Sequence, residues 1–121
     1  MKKILLIEDE KLLADMYKEK FEREGFEVVV SLSAEKGFEL AKKEKPDLIV
    51  LDILLPEKNG IFFLEQQMKD PEISHIPVLA LSNYDRPETR KRALELGAKE
   101  YIIKTNHTPK EIVEKIKKYL K

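Results

Sequence analysis

Four short apolar runs, each followed at once by polar residues, limit most strongly how this chain can fold. The runs are Ile4–Ile7 before Glu8-Asp9-Glu10, Leu48–Leu51 before Asp52, Val78–Leu81 before Ser82-Asn83, and Tyr101–Ile103 before Lys104. Short, wholly apolar runs are typical of strands buried on both faces of a parallel sheet. A desolvated, unpaired carboxylate at Asp52 would cost roughly several kcal/mol. We therefore expect Asp52 at an edge reached by solvent, beside cations, or both.

Helical patterns separate these runs. The predicted segments are a helix with Leu12, Leu13, Met16, Tyr17 and Phe21 on one stripe, stopped by Gly25; a mixed strand, Phe26–Leu32; a helix capped by Ser33 and ending before Pro46; a turn at Pro56–Gly60 and a helix through Ile61, Leu64 and Met68; a helix opened by a capping box at Asp85–Glu88 and closed at Gly97; and a helix opened by a capping box at Thr108–Glu111. These signals rest on apolar periodicity and on the side chains that end helices.

Five strands alternating with five helices predict an α/β domain, a doubly wound five-stranded parallel sheet of flavodoxin-like topology over residues 1–121. The first, third and fourth strands are wholly apolar and should be interior, whereas the second is mixed and the fifth is short. This pattern fits the strand order 2-1-3-4-5, whose switch point lies between the first and third strands. Glu8, Asp9 and Asp52 follow those two strands, so we expect them at the ligand-binding crevice.

Composition excludes several functional classes. Lys plus Arg and Asp plus Glu both number 23, so no net charge draws the chain to nucleic acid or to an anionic membrane. The chain has no Cys, which excludes disulfides and thiolate metal sites. Its first apolar run is too short for a signal sequence. We expect a cytoplasmic protein that contacts neither nucleic acid nor membrane directly.

Three carboxylates in one crevice repel each other and stay ionised only with a cation among them. Oxygen ligands without nearby His or Cys favour Mg²⁺, or Mn²⁺. Lys104 would add a positive charge for a phosphoryl group, and the Ser82 hydroxyl would add a hydrogen bond. The sequence therefore predicts phosphoryl transfer to or from a carboxylate.

The chain resembles the receiver domain of two-component response regulators over its whole length, and in particular single-domain chemotaxis regulators. The matching elements, in order, are the acidic pair Glu8-Asp9, Asp52 followed by Pro56 and Gly60 at the family's spacing, Ser82, Tyr101 and Lys104. Each element alone is common, but together they fall in register with the predicted fold. Leu55 stands where the family usually has Met.

The resemblance implies a phosphorelay protein in which Asp52 accepts a phosphoryl group from a phosphohistidine of a sensor histidine kinase or phosphotransfer protein. It implies metal binding by Asp9, Asp52 and the Leu54 carbonyl, with Glu8 acting mostly through water. Ser82 and Tyr101 would act as the switch that changes partner binding. Such a domain catalyses only its own phosphorylation and dephosphorylation. No output domain follows, so we expect a standalone regulator or a piece of a longer one.

Two positions depart from the family pattern. The lysine is usually followed by Pro, often through a cis peptide, but Thr105 follows Lys104 and the next proline is Pro109. Because a non-proline cis bond costs roughly 3 kcal/mol, we expect Lys104–Thr105 to be trans, with the extra residue making the bend. Asn83 stands where the family has a small residue, and it either hydrogen-bonds the phosphoryl group or partly obstructs it.

Two other functions use similar parts. A small Mg²⁺-dependent phosphatase of the haloacid dehalogenase type also has an aspartate nucleophile, but it needs a second Asp two residues later, where this chain has Leu54. A nucleotide- or flavin-binding domain needs a glycine-rich phosphate loop after the first strand, where Glu8-Asp9-Glu10 would repel phosphate. A single covalent phosphate, as opposed to turnover, distinguishes a receiver from either.

Overall fold

The chain folds as an alternation of strands and helices, in a computed structural model that describes residues 1–55, 59–83 and 85–120. The elements are β1 (Lys3–Ile7), α1 (Lys11–Arg23), β2 (Glu27–Ser31), α2 (Ala34–Glu44), β3 (Leu48–Asp52), α3 (Gly60–Met68), β4 (Val78–Ser82), α4 (Pro87–Glu95), β5 (Glu100–Ile103), a 3-10 turn (Lys104–Asn106) and α5 (Pro109–Tyr119). The predicted elements are all present. Part of the predicted turn, positions 56–58, lies outside the described residues.

The five strands form one parallel sheet in the order β2-β1-β3-β4-β5, which confirms the predicted topology. The register aligns the carboxyl ends of the strands. Ile7 pairs with Leu51, Asp52 with Leu81, and Ser82 with Ile103. Residues that follow these strands therefore meet at one edge of the sheet.

Helices cover both faces of the sheet, because successive strand side chains point to opposite faces. On one face the strands pack against α1 and α5 through a cluster that includes Leu6, Val50, Leu79, Phe21 and Ile116. On the other face they pack against α2, α3 and α4 through a cluster that includes Leu5, Leu51, Ala80, Phe63 and Ala93. The central strands β1, β3 and β4 are almost wholly buried, as predicted from their apolar sequences.

Several helix ends are those that the sequence predicted. The Ser33 side chain accepts a hydrogen bond from the Lys36 amide at the start of α2. Thr108 and Glu111 form the predicted capping box of α5. Gly25 and Gly97, which follow α1 and α4, have φ angles of 94° and 106°, in a region that favours glycine.

The capping box predicted at Asp85–Glu88 is wrong. Helix α4 begins at Pro87 with Arg86 as its N-cap, so Asp85 lies one residue too early to cap it. Proline at the first helical position fixes this boundary, since its missing N–H is not needed there. The Asp85 carboxylate instead forms an ion pair with Arg90.

The predicted stripe of α1 is only partly buried. Ala14, Tyr17 and Phe21 face the core, whereas Leu12 is 87% exposed and Met16 is 37% exposed. The apolar stripe therefore packs on the core mainly through the second half of α1. Within the described ranges, none of the helices is long and apolar enough to cross a membrane.

Candidate functional site

Three carboxylates converge where β1 and β3 end. Oxygen atoms of Glu8, Asp9 and Asp52 all lie within 4.8 Å of one another. Glu8 is 1% exposed and Asp52 is 4% exposed, while Asp9 is partly exposed and lies on the solvent side. The convergence predicted from the strand ends is therefore present, with two acids buried and the third toward solvent.

Lys104 joins two of these acids from the end of β5. Its Nζ lies 2.7 Å from Oε1 of Glu8 and 3.3 Å from Oδ2 of Asp52, and its side chain is only 6% exposed. The ammonium group donates to both carboxylates. The sequence predicted Lys104 at this edge, but it did not predict that Glu8 would be its nearest partner.

The buried charged groups shift one another's pKa values. Burial, with the nearby charge of Asp52, raises the pKa of Glu8 to about 7, although the Lys104 ammonium opposes this shift. Burial alone would lower the pKa of Lys104, but its hydrogen bond to Glu8 and the charge of Asp52 outweigh burial and raise it. Near neutral pH the ammonium thus stays charged while Glu8 is close to its midpoint.

Local hydrogen bonds hold the two buried acids in place. Oδ1 of Asp52 accepts from the Leu54 amide at 3.0 Å, and Oε2 of Glu8 accepts from the Glu10 amide at 3.2 Å. Each bond joins a side chain to the amide two residues later, and the bond to Asp52 is of the kind that Asp side chains make in turns. The bond to Asp52 also keeps Leu54, which is half-buried, beside the site.

A close packing contact supports Asp52 from α3. A Cβ atom on Gly60 would lie 2.8 Å from Cα of Ile53 and 2.9 Å from the Asp52 carbonyl oxygen. The Gly60 amide donates to the Ile53 carbonyl at 2.9 Å. Any larger residue at position 60 would push the start of α3 away from the strand that carries Asp52.

The remaining predicted site residues lie at the ends of β4 and β5. Ser82 is fully buried and follows Leu81, which pairs with Asp52. Asn83 is exposed at the rim, and Tyr101 is half-buried against the cluster on the α4 face. The roles of Ser82, Asn83 and Tyr101 beside Asp52 stay predictions.

The loop after β5 departs from the family pattern as expected. Among the described residues no peptide bond is cis, so Lys104–Thr105 is trans. The chain bends through the 3-10 turn at Lys104–Asn106. The chain therefore turns after β5 with a trans peptide and without a proline at position 105.

This cluster fits a hard divalent cation. Its donors are all carboxylate oxygens, the ligand type that Mg²⁺ and Mn²⁺ prefer, and Asp9 leaves one side open to solvent. An ammonium beside a nucleophilic carboxylate also suits the negative oxygens of a phosphoryl group. The geometry can therefore support phosphoryl transfer to Asp52.

Comparison with known proteins finds one matching family and several similar proteins. The family described as "Response regulator receiver domain" matches residues 4–117. The polar-differentiation response regulator DivK of Brucella ovis is 32% identical over 119 residues, covering 98% of this chain and 96% of DivK. The alkaline phosphatase synthesis transcriptional regulatory protein PhoP of Bacillus subtilis is 34% identical over 120 residues, covering 99% of this chain. The chain spans about half the length of PhoP, 49%.

Solved structures share the fold along nearly the whole chain. A CheY-like response regulator receiver domain protein from Methanospirillum hungatei is 31% identical with a TM-score of 0.91, covering 99% of this chain and 94% of that one. The HemR receiver domain from Leptospira biflexa is 30% identical with a TM-score of 0.88, covering 98% and 94%. The chemotaxis protein CheY4 of Vibrio cholerae, at 21% identity, has a TM-score of 0.91 and covers 98% of each chain.

Proposed function

The chain belongs to the response regulator receiver domain family, and from that premise we propose that it accepts a phosphoryl group on Asp52 and switches partner binding. The observation that carries this proposal is the Lys104 ammonium, held between Asp52 and Glu8 beside the Asp9 carboxylate. Phosphorylation and Mg²⁺ binding are characteristic of the family. Residues 1–121 would act as one receiver domain.

In the proposed reaction an Asp52 oxygen attacks the phosphorus of a phosphohistidine. A P–O bond forms as the P–N bond breaks, and the imidazole leaves with the electron pair. Lys104 stabilises the charge on the transferred group, while Ser82 and Asn83 offer hydrogen bonds from the end of β4. Phosphorylation would then break the Lys104–Asp52 contact of the free protein and replace it with a contact to phosphate.

Asp9, Asp52 and the Leu54 carbonyl would hold Mg²⁺ (or Mn²⁺), with Glu8 contributing mostly through water. A bound Mg²⁺ would neutralise charge on the phosphoryl oxygens. Glu8 has a second task in the free protein, because it is the nearer partner of Lys104 and so keeps the ammonium at the site.

The proposed partners are a sensor histidine kinase or phosphotransfer protein and a downstream protein, in the cytoplasm. Catalysis would be limited to the domain's own phosphorylation and dephosphorylation. Incubation with acetyl phosphate and Mg²⁺ tests this function by intact mass. We expect one acid-labile phosphoryl group per chain, and none when Mg²⁺ is chelated before acetyl phosphate is added. Continuous release of phosphate at an enzyme-like rate, without a stable adduct, would instead indicate a phosphatase.

We predict that Asp9→Asn weakens Mg²⁺ binding by more than about tenfold, because it removes a charged ligand from a site with few protein ligands. Glu10→Gln is the matched control, since it neutralises the adjacent acid, which is exposed and is not one of the three clustered acids. Isothermal titration of both variants with MgCl₂ measures the difference. Equal losses of affinity in the two variants would contradict this placement of the metal.

We also predict that phosphorylation is read at the face formed by α4, β5 and α5. A phosphoryl group adds about −1.5 to −2 charges, which should draw Ser82 and Lys104 toward Asp52 and open space for Tyr101. Beryllofluoride with Mg²⁺ should therefore shift NMR resonances from Asp52 to Tyr101 and over residues 87–97. Shifts confined to the loops around Glu8–Glu10 and Asp52–Leu55 would show that no such switch operates.

A further inference from the structure

The turn that carries Lys104 has to fix its side chain without the usual proline. Lys104 is the first residue of the 3-10 turn, yet its Nζ reaches Glu8, which follows β1, and β1 lies two strands beyond β4, the neighbour of β5. Nζ lies at the end of a long side chain, so a rotation of the backbone at Lys104 displaces the ammonium unless the side-chain torsions compensate. A group that fixes this turn therefore helps to fix the position of the ammonium.

His107 closes the turn with two hydrogen bonds. Its Nδ1 lies 3.0 Å from the carbonyl oxygen of Ile103, the residue before Lys104. Its backbone N–H donates to the carbonyl of Lys104 itself, at 3.4 Å. Because a carbonyl oxygen only accepts, Nδ1 must carry the proton, which selects one ring tautomer.

The far end of the loop is fixed independently. The Thr108 amide donates to Glu111 at 2.8 Å and the Glu111 amide donates to Thr108 at 3.2 Å, which anchors the start of α5. His107 is thus the residue that links an anchored helix to the end of β5. By contrast, Thr105 and Asn106 are exposed within the turn.

We infer that His107 is a positioning residue for phosphoryl transfer. It fixes the backbone at Lys104 by hydrogen bonds to the carbonyl oxygens of Ile103 and of Lys104 itself. This inference rests on the proposed function of Asp52 and Lys104. His107 acts through Lys104 and touches no reacting atom. In this chain the imidazole takes over the task that a rigid prolyl ring would perform in the backbone.

Three substitutions test the hydrogen bond specifically. Asn places its amide Nδ2 where His has Nδ1, whereas Gln places its amide one carbon further out, and Ala removes the donor. We expect His107→Ala and His107→Gln to slow phosphorylation by acetyl phosphate about three- to tenfold, the range expected from one lost hydrogen bond. His107→Asn should stay within about twofold of the wild type on the same grounds.

His75→Ala is the control, since it removes the other histidine from an exposed loop after α3. Rates are compared at a temperature at which circular dichroism shows each variant to be folded. If the alanine variant is unfolded, the comparison of Asn with Gln decides. A wild-type rate in His107→Gln, or equal slowing in Asn and Gln, would overturn the role of the Nδ1 hydrogen bond.

NMR separates this inference from the proposed function. Long-range ¹H–¹⁵N correlation should show the Nδ1–H tautomer for His107, and ¹³Cε relaxation of Lys104 should show a more mobile side chain in His107→Gln than in His107→Asn. If the wild type accepts no phosphoryl group, the proposed function fails. These two measurements still test whether the His107 hydrogen bond holds Lys104 in place. An Nε2–H tautomer, or equal Lys104 mobility in the two variants, would overturn the inference itself.

Discussion

Asp52→Asn is expected to abolish phosphorylation and leave the protein folded. The amide keeps the shape of the carboxylate, and its oxygen can still accept from the Leu54 amide, as Oδ1 of Asp52 does now at 3.0 Å. It has no nucleophilic oxygen anion, so we expect the rate with acetyl phosphate to fall more than about a thousandfold. Intact mass after incubation with acetyl phosphate and Mg²⁺ measures the loss, and binding of beryllofluoride should disappear with it.

Asp15→Asn is the matched control because it makes the same substitution on the exposed face of α1, where Asp15 pairs with Lys11. It should be phosphorylated like the wild type. Asp52→Asn should not lose stability, since it removes one of three mutually repelling carboxylates and leaves the pair of Lys104 and Glu8 intact. A variant that is modified to the wild-type extent would show that another residue is the phosphoacceptor.

The sheet could be predicted from the sequence because its strands differ in kind. Wholly apolar β1, β3 and β4 suit interior positions, and the mixed β2 and short β5 suit the edges, a pattern that fits the observed strand order. The start of α4 was mispredicted because two signals competed there. Asp85 has the side chain of a good N-cap, but Pro87 fixes the first helical position, and proline determines the boundary.

The sequence predicts which residues come together at the site, but not which of them contact each other most closely. Strand order brings the residues after β1, β3 and β5 to one edge, which identifies Glu8, Asp52 and Lys104. Which acid Lys104 contacts more closely depends on side-chain directions within a few Å, and periodicity carries no such information. The exposure of Leu12 could not be read from spacing either, because an apolar stripe does not show where the sheet beneath it ends.

His107 was missed for a related reason. Its neighbours Thr105 and Asn106 have no pattern that indicates a turn type, and a lone histidine in a loop carries no signal of its own. The one available clue was the absence of proline after Lys104, because a turn that lacks a rigid ring needs a side chain to close it. That clue identifies the loop, but only the structure identifies the residue.

The free energy of unfolding without Mg²⁺ should fall as pH rises from 5 to 8, and Glu8 should be the cause. Its pKa is about 7 in the folded protein and 4.5 in the unfolded chain, so the folded state binds more protons between these values. Stability is then fully present below pH 4.5 and is lost as pH rises through 7. The shift corresponds to about 3 kcal/mol.

Glu8→Gln should remove this decline, because the amide resembles the protonated acid and keeps an oxygen for Lys104 to bind. We expect the variant to match the wild type near pH 5 and to exceed it by about 2 kcal/mol at pH 8. Urea unfolding at both pH values measures the difference, and subtracting the two proteins cancels the titrating groups that do not interact with Glu8. Glu22→Gln, on the exposed face of α1, is the control.

Adding Mg²⁺ should flatten the wild-type curve, since a divalent cation beside Glu8 favours its ionised form and so lowers its pKa. The same cation should do little for the pH dependence of Glu8→Gln. Parallel curves for wild type and variant without Mg²⁺ would show that burial does not keep Glu8 protonated. If the curves diverge as expected, the metal-free protein gives up stability at neutral pH to keep a second buried acid beside Asp52. That cost is the kind a protein accepts at a functional site, where charges are arranged for a ligand that is not always bound.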